Sequence, residues 1–376
     1  MKKTPQMDFE IFLVTLPGLE TYLHAEVIEQ GFRKPKVIDG GVIIRGGWKD
    51  VWRANLVLRG ASKVLARIGE FRALHLAQLD KRSRKFPWGD FLTLGHSVKV
   101  EVSTNKQSKI YHAGAAEQRI ETAIHESFGA AIATSIEEAD ILLKVRIERN
   151  LVIFSIDTSG KALHKRGHKQ AMGKAPLRET IAAMSLRACK YKRTEPLLDP
   201  MCGSGTYPIE AAEIAGNLMA GRDRHFAFEK LASYDALAVQ TLKENWYTRD
   251  IPPHFYGYDQ NAQVIGFAQA NAKRADVERA CQFTAQPLSK LKRPEGQPGL
   301  VIVNPPYGIR IGDKKKLFKL YRDFGDVMRE QFSGWRVGMI TADKPLAEAT
   351  KLPWLPPSAP IPHGGLKIWL YQTDVL

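Results

Sequence analysis

The sequence predicts an α/β fold made of two unlike parts, and three observations support that prediction. A short apolar run ending at Asp199 is followed by the glycine loop Gly203-Ser204-Gly205 and then by an alanine-rich helical pattern. Strand, glycine loop and helix in this order open a doubly wound α/β domain. A second apolar run, over 300–303, ends at Asn304-Pro305-Pro306-Tyr307. Residues 8–160, by contrast, alternate short strands and helices without a glycine-rich phosphate loop, which predicts an α+β module.

The composition excludes several classes of protein. The chain has 376 residues, a net charge of +15 and 44% hydrophobic residues, which fits two or three globular domains and favours a polyanionic partner. Neither a membrane-spanning run nor a signal-peptide pattern is visible, so we expect a cytoplasmic protein without a membrane partner. Three widely spaced cysteines form no CxxC pair, so we expect no disulfide framework and no metal site. The sequence does not indicate an oligomeric state.

The N-terminal part predicts short elements in a definite order. Their shared signals are alternation for strands and four-residue spacing for helices. We predict strands over 9–16, 40–45, 97–102, 141–147 and 151–156, and helices over 19–30, 48–58 and around Ala116, Ile120, Ile124 and Phe128. Arg149-Asn150 is typical of a tight hairpin turn between the last two strands.

Two basic segments interrupt these patterns. Residues 81–88 combine Lys and Arg with Phe86 and Trp88, so they either contact phosphates and stack on a base or form a solvated loop anchored by Trp88. Residues 161–175 carry basic residues and glycines with little periodicity, which predicts a linker that divides the chain.

The glycine loop indicates a cofactor site. The chain has neither GxxxxGK[ST] nor GxGxxG at this loop, which argues against a phosphate or dinucleotide ligand. An aspartate at the strand end before a GxG loop suits a cofactor with an amino-acid tail, and S-adenosylmethionine (SAM) is such a cofactor. Asp199 is then expected to act on the methionine ammonium, and its alternative role is to cap the loop backbone.

The next strands extend this cofactor half. Residues 254–259 predict the second strand, and in this fold an acid at its tip, here Asp259, binds the ribose hydroxyls. That acid usually follows the glycine loop by about 20 residues. The longer spacing here requires residues 216–252 to be an insertion of two helices. A third strand over 282–284 places Gln286 near the adenine.

The second motif indicates chemistry on an amine. An exocyclic amine is a poor nucleophile because its lone pair is delocalised into the ring. The side-chain oxygen of Asn304 and the carbonyl of Pro305 can accept its two N–H groups, and Tyr307 can stack on the base. Pro305 and Pro306 would fix the loop. The alternative is a plain loop, and a base inside a duplex would have to be flipped out.

The motifs DPMCGSG, HFYGYD and NPPYG resemble those of RlmL-type THUMP-domain enzymes, which are Rossmann-like class I SAM-dependent methyltransferases acting on guanine N2 in RNA. Residues 15–20 and 40–42 resemble the N-terminal ferredoxin-like part of that family, and 163–167 and 175–183 resemble the junction into its catalytic domain. The resemblance implies a ferredoxin-like domain at 1–67, a THUMP RNA-binding domain at 68–160, a linker at 161–175 and a methyltransferase domain at 176–376.

The resemblance also implies site residues. The catalytic set is Asn304, Pro305, Pro306 and Tyr307. The set expected to bind SAM is Pro176, Arg178, Glu179, Thr180, Asp199, Pro200, Cys202, Gly203, Gly205, Thr206, Asp259, Gln260 and Gln286. The expected partner is RNA, with 23S ribosomal RNA first and transfer RNA second.

Two departures from the family pattern affect these expectations. Pro287 stands where the family often places an aspartate for the adenine amine, so adenine recognition falls to Gln286 or to the backbone. Members of the family in some bacteria carry a second methyltransferase module, and this sequence up to Leu376 shows one, so one reaction is expected. The NPPY motif does not separate guanine N2 from adenine N6, and adenine-N6 methylation of DNA or RNA remains an alternative. The third functional hypothesis is a non-catalytic RNA-binding protein.

Overall fold

The computed structural model describes residues 8–170, 176–307 and 314–376, and these form two compact units. The described residues of the first unit are 8–15, 26–163 and 224–246. Those of the second unit are 16–25, 164–170, 176–223, 247–307 and 314–376.

The elements of both units are short. The strands of the described chain are β1 Phe9–Val14, β2 Lys36–Ile38, β3 Gly41–Gly46, β4 Lys63–Arg72, β5 Val98–Thr104, β6 Ile141–Glu148, β7 Leu151–Asp157, β8 Leu197–Asp199, β9 Phe255–Asp259, β10 Cys281–Ala285, β11 Leu300–Val303, β12 Arg336–Thr341, β13 Ile361–His363 and β14 Leu366–Gln372. The helices are α1 Glu20–Glu29, α2 Trp48–Val57, α3 Leu76–Arg84, α4 Ala113–Phe128, α5 Glu179–Ala188, α6 Thr206–Ala215, α7 Ala236–Glu244, α8 Ala262–Arg274, α9 Lys314–Gln331 and α10 Lys344–Ala349. None of these described helices is both long and apolar enough to cross a bilayer.

The first unit is built on one seven-stranded sheet in the order β2-β3-β1-β4-β7-β6-β5. Its pairs are antiparallel except for β5 with β6. Val98, Val100 and Val102 share the buried face of β5, as their alternation predicted. Because β4 runs without a break from Lys63 to Arg72, both predicted N-terminal domains contribute to the same sheet, and position 67/68 lies inside a strand.

The second unit is a doubly wound α/β domain, as predicted. Its sheet has the order β10-β9-β8-β11-β12-β14-β13. The first five strands are parallel, and β14 runs antiparallel to β12. The strand order reverses between β8 and β11, and α/β domains bind their ligands at such a switch point, outside the carboxyl ends of the strands. All four residues of β11 are buried, which explains their unbroken apolar run.

Local patterns predicted most of the elements in the first unit. Arg149 and Asn150 have φ values of +48° and +64°, the left-handed backbone that a two-residue hairpin of this kind requires. In α4, Ala116, Ile120 and Ile124 are buried and Phe128 is half-buried, which confirms the predicted core-facing stripe for its first three members.

The basic segment at 81–88 matches its two interpretations only in part, since Trp88 does anchor it. Helix α3 covers its first half, so it is not a loop. The indole of Trp88 is buried and its Nε1 donates to the Ser83 carbonyl at 2.8 Å. The Phe86 ring packs against those of Trp88 and Phe154, with centroids 4.6 and 5.1 Å away. Base stacking by these aromatics is therefore wrong, because core contacts already occupy their faces.

The insertion at 216–252 contains one α-helix, α7, and one short 3₁₀ helix at Ala227–Lys230, so only one of the roughly two expected helices is an α-helix. Its middle belongs to the first unit, where α7 packs against α2. Within that unit the Phe228 amide donates to the Thr158 carbonyl at 3.0 Å, and Lys230 Nζ lies 2.5 Å from Asp140 Oδ1. Helical periodicity is weak in a segment held by such specific polar contacts.

The predicted linker at 161–175 is packed where it is described. In the second unit Arg166 is buried and its guanidinium lies 3.3 Å from Glu210 Oε1. Arg274 Nε donates to the His168 carbonyl at 2.7 Å. Residues 164–170 are therefore part of the domain, held by charged partners on α6 and α8 that the local sequence could not reveal, while 171–175 lie outside the described residues.

Candidate cofactor and amine site

The candidate site lies in the second unit, at the carboxyl ends of three neighbouring parallel strands. Strand β8 pairs with β9 on one side and with β11 on the other. Asp199 ends β8, Asp259 ends β9 and Asn304 follows β11. Because parallel strands leave a sheet at the same edge, the fold brings these three predicted residues to one region.

The glycine loop has a backbone that only glycine adopts readily. Gly203 and Gly205 have φ values of +52° and +86°, both in the left-handed region. A Cβ on Gly205 would lie 3.1 Å from Ala268 Cβ and from two ring carbons of Phe283, whereas a Cβ on Gly203 would meet no atom within 4 Å. Gly205 thus serves packing as well as backbone shape, while Gly203 leaves open space above the loop for a ligand.

Asp199 is a buried carboxyl that accepts a hydrogen bond from the glycine loop. Its Oδ1 accepts from the Met201 amide at 3.0 Å, which is the loop-capping role weighed for it. Burial raises its pKa well above the usual range, and the nearby Asp259 carboxylate raises it further. A cationic ligand would stabilise the ionised form of this buried carboxyl and so lower its pKa again.

Asp259 connects three segments of the site. Its Oδ2 accepts from the Gly203 amide at 3.1 Å, and its Oδ1 accepts from the Asn261 amide at 2.9 Å. Its backbone carbonyl accepts from the Gln286 amide at 2.9 Å. Each carboxylate oxygen has two lone pairs, so both oxygens can still accept from hydroxyl groups.

Lys169 links two helix N-termini beside the glycine loop. Its Nζ lies 2.8 Å from Thr206 Oγ1, 2.9 Å from the Leu177 carbonyl and 3.1 Å from Glu179 Oε1. Thr206 begins α6 and Glu179 begins α5, and a cation is unfavourable at such ends unless a carboxylate compensates it. Glu179 supplies that compensation, so Lys169 fixes two residues of the predicted cofactor set.

Asn304 stands at the other strand tip with an unpaired acceptor. Its Oδ1 is buried, and no donor among the described residues reaches it. A buried oxygen without a partner costs about 1–3 kcal/mol, so such groups are rare in native structures. The amide therefore offers a pre-formed acceptor for a ligand N–H group.

The loop after Asn304 is held from behind by Tyr321 of α9. The Tyr321 hydroxyl donates to the Pro306 carbonyl at 3.3 Å and lies 3.1 Å from Thr341 Oγ1. The Asp343 amide donates to the same Thr341 oxygen at 3.2 Å. The Pro306 carbonyl is thus engaged, whereas no hydrogen bond from the described residues to the Pro305 carbonyl is seen.

Two further motif residues differ in what they can offer a ligand. Tyr307 is half-buried, and burial raises its pKa to about 12, so its hydroxyl stays protonated and its ring is available only in part. The thiol of Cys202 is buried, and burial, followed by the charges of Asp199 and Asp259, raises its pKa well above the usual range. Cys202 is therefore a packing residue with an unreactive thiol.

The remaining predicted cofactor residues surround the same strand ends with different exposures. Pro200 and Thr180 are buried, Pro176 and Arg178 are half-buried, and Gln260 is exposed. Burial first, and then the charge of Arg178, lower the pKa of His164 to about 4, which places that guanidinium near the junction segment. Gln286 is half-buried directly after β10.

The sequence missed three residues that shape this site. Lys169 was assigned to the linker, and Tyr321 carries no motif. Phe283 was part of a predicted strand, but its ring lies 2.5 Å from the position of a Cβ on Gly257 and 3.1 Å from that of a Cβ on Gly205. The place of Gly257 inside the HFYGYD motif was a sequence signal for its close contact with Phe283. Lys169 and Tyr321 gave no such signal, because their partners are distant in sequence.

Two family models match the chain. An RMKL-like methyltransferase domain matches residues 166–353, and an RlmL ferredoxin-like domain matches residues 10–65. The first match contains both strand tips described above. It also begins at Arg166, inside the packed segment that the sequence had predicted as a linker.

Similar proteins have been named for ribosomal RNA. A protein from Aliivibrio salmonicida named ribosomal RNA large subunit methyltransferase K/L is 32% identical over 352 residues, covering 90% of this chain and 50% of the relative. A protein of the same name from Psychromonas ingrahamii is 34% identical over 348 residues, covering 89% of this chain and 46% of the relative. The chain thus spans about half the length of the curated relatives it matches.

Solved structures resemble nearly the whole chain. A predicted N6-adenine-specific DNA methylase from Listeria monocytogenes has a TM-score of 0.87 at 29% identity, covering 98% of this chain and 97% of that one. A methyltransferase complexed with SAH has a TM-score of 0.86 at 25% identity, covering 99% of both chains.

Proposed function

This chain belongs to the RMKL-like methyltransferase family, and we propose that it transfers a methyl group from SAM to the exocyclic N2 of a guanine in RNA. The observation that carries the proposal is the buried Oδ1 of Asn304, which no described residue reaches, at a strand tip beside the acidic strand tips of β8 and β9. A neutral acceptor next to carboxylates is the combination required to hold an amine near a cationic methyl donor.

The residues at the β8 and β9 tips fit SAM. Asp199 and Asp259 favour a ligand with positive charge, and Gly203 leaves room for close approach to the loop. The same carboxylates would repel a phosphate. When bound, SAM supplies a methyl group on a positively charged sulfur, which is the electrophile of the reaction. A solved relative of this fold was crystallised with SAH, the product that SAM leaves, which supports the assignment.

The residues at the β11 tip orient the amine. Asn304 Oδ1 and the Pro305 carbonyl accept its two N–H groups, which directs the nitrogen lone pair away from the loop. Tyr321 keeps the Pro306 carbonyl in place, so the loop does not have to reorganise during the reaction. Tyr307 packs against the base. Positioning and electrostatics provide the rate enhancement, and no side chain has to act as a strong base.

Ribosomal RNA of the large subunit is the proposed substrate. The relatives from Aliivibrio and Psychromonas carry that substrate in their names, and the net charge of +15 suits a polyanion. We propose that residues 68–160 serve as a THUMP module that docks the RNA, with 1–67 as the ferredoxin-like part before it. A cytoplasmic location remains a prediction, and transfer RNA is the second candidate substrate.

Adenine-N6 methylation is the alternative reaction. The NPPY loop accepts either amine, and the Listeria relative is described as an N6-adenine-specific DNA methylase. The RlmL ferredoxin-like match at 10–65 favours RNA over DNA for this chain.

The decisive experiment compares modified nucleosides. RNA from a strain lacking this protein is digested and measured by mass spectrometry, and the loss of N2-methylguanosine from 23S RNA is the expected result. Loss of N6-methyladenosine instead, or loss from transfer RNA only, would reassign the base or the substrate. Purified protein, SAM and unmodified ribosomal RNA should then restore the missing nucleoside, with single-stranded DNA as the control substrate.

A further inference from the structure

One end of the sheet in the first unit collects three chain segments. Strand β4 ends there at Arg72, opposite Leu151 at the start of β7. The hairpin turn Arg149-Asn150 joins β6 to β7 at the same end. Strand β5 is parallel to β6 and ends at Thr104, beside Ile147, so the loop after β5 leaves from this end too.

Asn150 holds these segments together. Its backbone carbonyl accepts from the Ala73 amide at 3.0 Å, and its Oδ1 accepts from the Lys109 amide at 2.8 Å. Arg72 Nη1 donates to the Arg149 carbonyl at 3.2 Å. The loop after β5 is also tied by Thr104 Oγ1, which donates to the Ile110 carbonyl at 2.6 Å. The surface is therefore ordered by its own hydrogen bonds.

This end carries cations without acidic partners. Arg72, Lys106, Lys109 and Arg149 are exposed, and in the described part of the chain none of them pairs with a carboxylate. Other basic residues of the first unit do form such pairs, among them Arg33, Arg45, Arg53, Lys63, Arg67, Arg84, Lys99, Lys144, Arg146 and Lys230. The first unit therefore gathers four cations at this end of the sheet for which the described residues provide no carboxylate.

The acids near these cations do not neutralise them. Glu148 at the end of β6 already lies 2.7 Å from Arg146 Nη2. Glu70 is exposed on β4, two residues before Arg72. Its single negative charge is outweighed by the four positive charges at this end. A net positive surface at this end follows.

An exposed aromatic ring adjoins the cations. Tyr111, in the loop that carries Lys106 and Lys109, is 66% exposed, and its ring centroid lies 5.6 Å from that of His112. In contrast, Trp88 is 2% exposed, so it has no face to offer. An exposed tyrosine among lysines and arginines provides base stacking next to phosphate binding.

We propose that this end of the sheet, formed by Arg72, Lys106, Lys109, Tyr111 and Arg149 and called here the docking edge, binds an unpaired stretch of the RNA substrate. The inference rests on the proposed function, because it takes RNA as the partner. The cations bind backbone phosphates, and the Tyr111 ring stacks on one base. RNA loops and single strands fit this chemistry better than a duplex, since their bases are free to stack.

Salt dependence gives the sharpest test. The full-length R72Q/K109Q/R149Q variant is compared with K34Q/K36Q/K49Q. The control removes three exposed cations of the same unit, one just before β2, one in β2 and one in α2, that pair with no carboxylate in the described part of the chain. Binding of a fluorescein-labelled oligouridylate is measured by anisotropy over a range of salt concentrations. Each lost phosphate contact to a single strand lowers the slope of log K against log salt by about 0.7. We expect a loss of about 2 in the docking-edge variant and no loss in the control. Equal slopes in the two variants would overturn the proposal.

Tyr111→Ala separates stacking from charge. Loss of one stacked base should weaken binding by roughly 5- to 150-fold while the salt slope stays the same. Unchanged affinity would remove Tyr111 from the docking edge. Thermal unfolding of each variant checks that the fold is intact, and substitutions at these exposed sites should leave the midpoint unchanged.

Failure of this inference is distinct from failure of the proposed function. Methylation of RNA by a wild-type protein whose docking-edge variant keeps the full salt slope would retain the function and reject the surface. Slope loss in that variant, together with no methylation of any RNA by the wild type, would retain the surface and reject the function.

Discussion

The strand tips on the two sides of the site are built on opposite principles. At the tips of β8 and β9, Asp199 and Asp259 are carboxyl groups that accept hydrogen bonds from backbone amides of the glycine loop and of Asn261. At the tip of β11, Asn304 is a neutral group whose Oδ1 is buried without a donor from the described residues. Each carboxyl of the first region accepts at least one backbone amide, whereas the Asn304 oxygen accepts from none of the described residues.

This difference shows how one sheet edge can serve two ligands. Charge attracts a cation and tolerates small errors of position, so the acidic tips need a supporting backbone more than an exact side-chain rotamer. A neutral acceptor contributes only through geometry, so the β11 tip needs a rigid loop. The prolines and Tyr321 supply that rigidity. Substitutions at the two tips should therefore affect different kinetic parameters.

The largest expected effect is on turnover, from the Asn304→Ala substitution. Removing the acceptor should lower kcat by about 100- to 1,000-fold, the loss seen when one preorganised hydrogen-bonding group is removed. The dissociation constant for SAM, measured by calorimetry, should stay within a factor of two. An unchanged kcat would show that the β11 tip does not hold the amine.

The Gly205→Ala substitution should mainly reduce stability. The new Cβ would lie 3.1 Å from Ala268 and Phe283 in a backbone with φ +86°, so strain and overpacking together should cost about 2–4 kcal/mol. Gly203→Ala is the matched control, because it has positive φ and open space, and it should cost about 1 kcal/mol. Urea unfolding measures both, and equal losses would mean that packing around Gly205 is unimportant.

The Asp199→Asn substitution should weaken the cofactor and leave chemistry alone. Loss of one charged interaction with a cationic ligand should raise the dissociation constant for SAM by about 10- to 100-fold. At saturating SAM, kcat should be close to that of the wild type. A fall in kcat with unchanged affinity would reverse the roles given to the two tips.

Tyr321→Phe should have a smaller effect on the β11 tip. The hydroxyl contributes one hydrogen bond to the Pro306 carbonyl, which is worth about 1 kcal/mol, so kcat should fall by about fivefold. Thr341→Val leaves that bond in place and removes its neighbour, so it should have a weaker effect. If both variants lower kcat equally, the hydrogen bond from Tyr321 to the Pro306 carbonyl has no specific role, and the two hydroxyl groups act only through packing.

The pH dependence of SAM affinity is the smallest expected effect. Burial raises the pKa of Asp199, so the folded protein holds this proton more tightly than the unfolded chain does. The stability that it contributes is present below the unfolded value of about 3.9 and is lost as pH rises through the folded pKa. SAM affinity should change in the opposite direction and rise over the same interval, because the cation binds the ionised form. Asp199→Asn should flatten the curve, and a wild-type curve that is already flat would contradict this account.

The sequence predicted what depends on neighbouring residues. The strand before Asp199, the GxG loop and the buried run before Asn304 are each readable within a few positions, since strand alternation, glycine backbones and prolines act locally. The parallel strand order then brought the tips together, as the doubly wound pattern predicted.

The supporting contacts were beyond the sequence because their partners are distant. Lys169 meets Thr206 at a separation of 37 residues, and Tyr321 meets the Pro306 carbonyl at a separation of 15. No periodicity signals such a pair. The same limit explains the linker error, because the charge of Arg166 indicated a solvated segment until its partner Glu210 was known. Two helices were expected in the insertion for a similar reason, since its length was visible and its polar anchors were not.

The segment at 224–246 has a consequence for biosynthesis. It belongs to the first compact unit, although most of the second unit's glycine-loop region is translated before it. A growing polypeptide advances at about 5–20 residues per second, so the N-terminal half waits several seconds on the ribosome before its last piece emerges. Splitting the gene after residue 163 should therefore yield two fragments that are each incomplete, and a nascent-chain protease assay should show late protection of the N-terminal half.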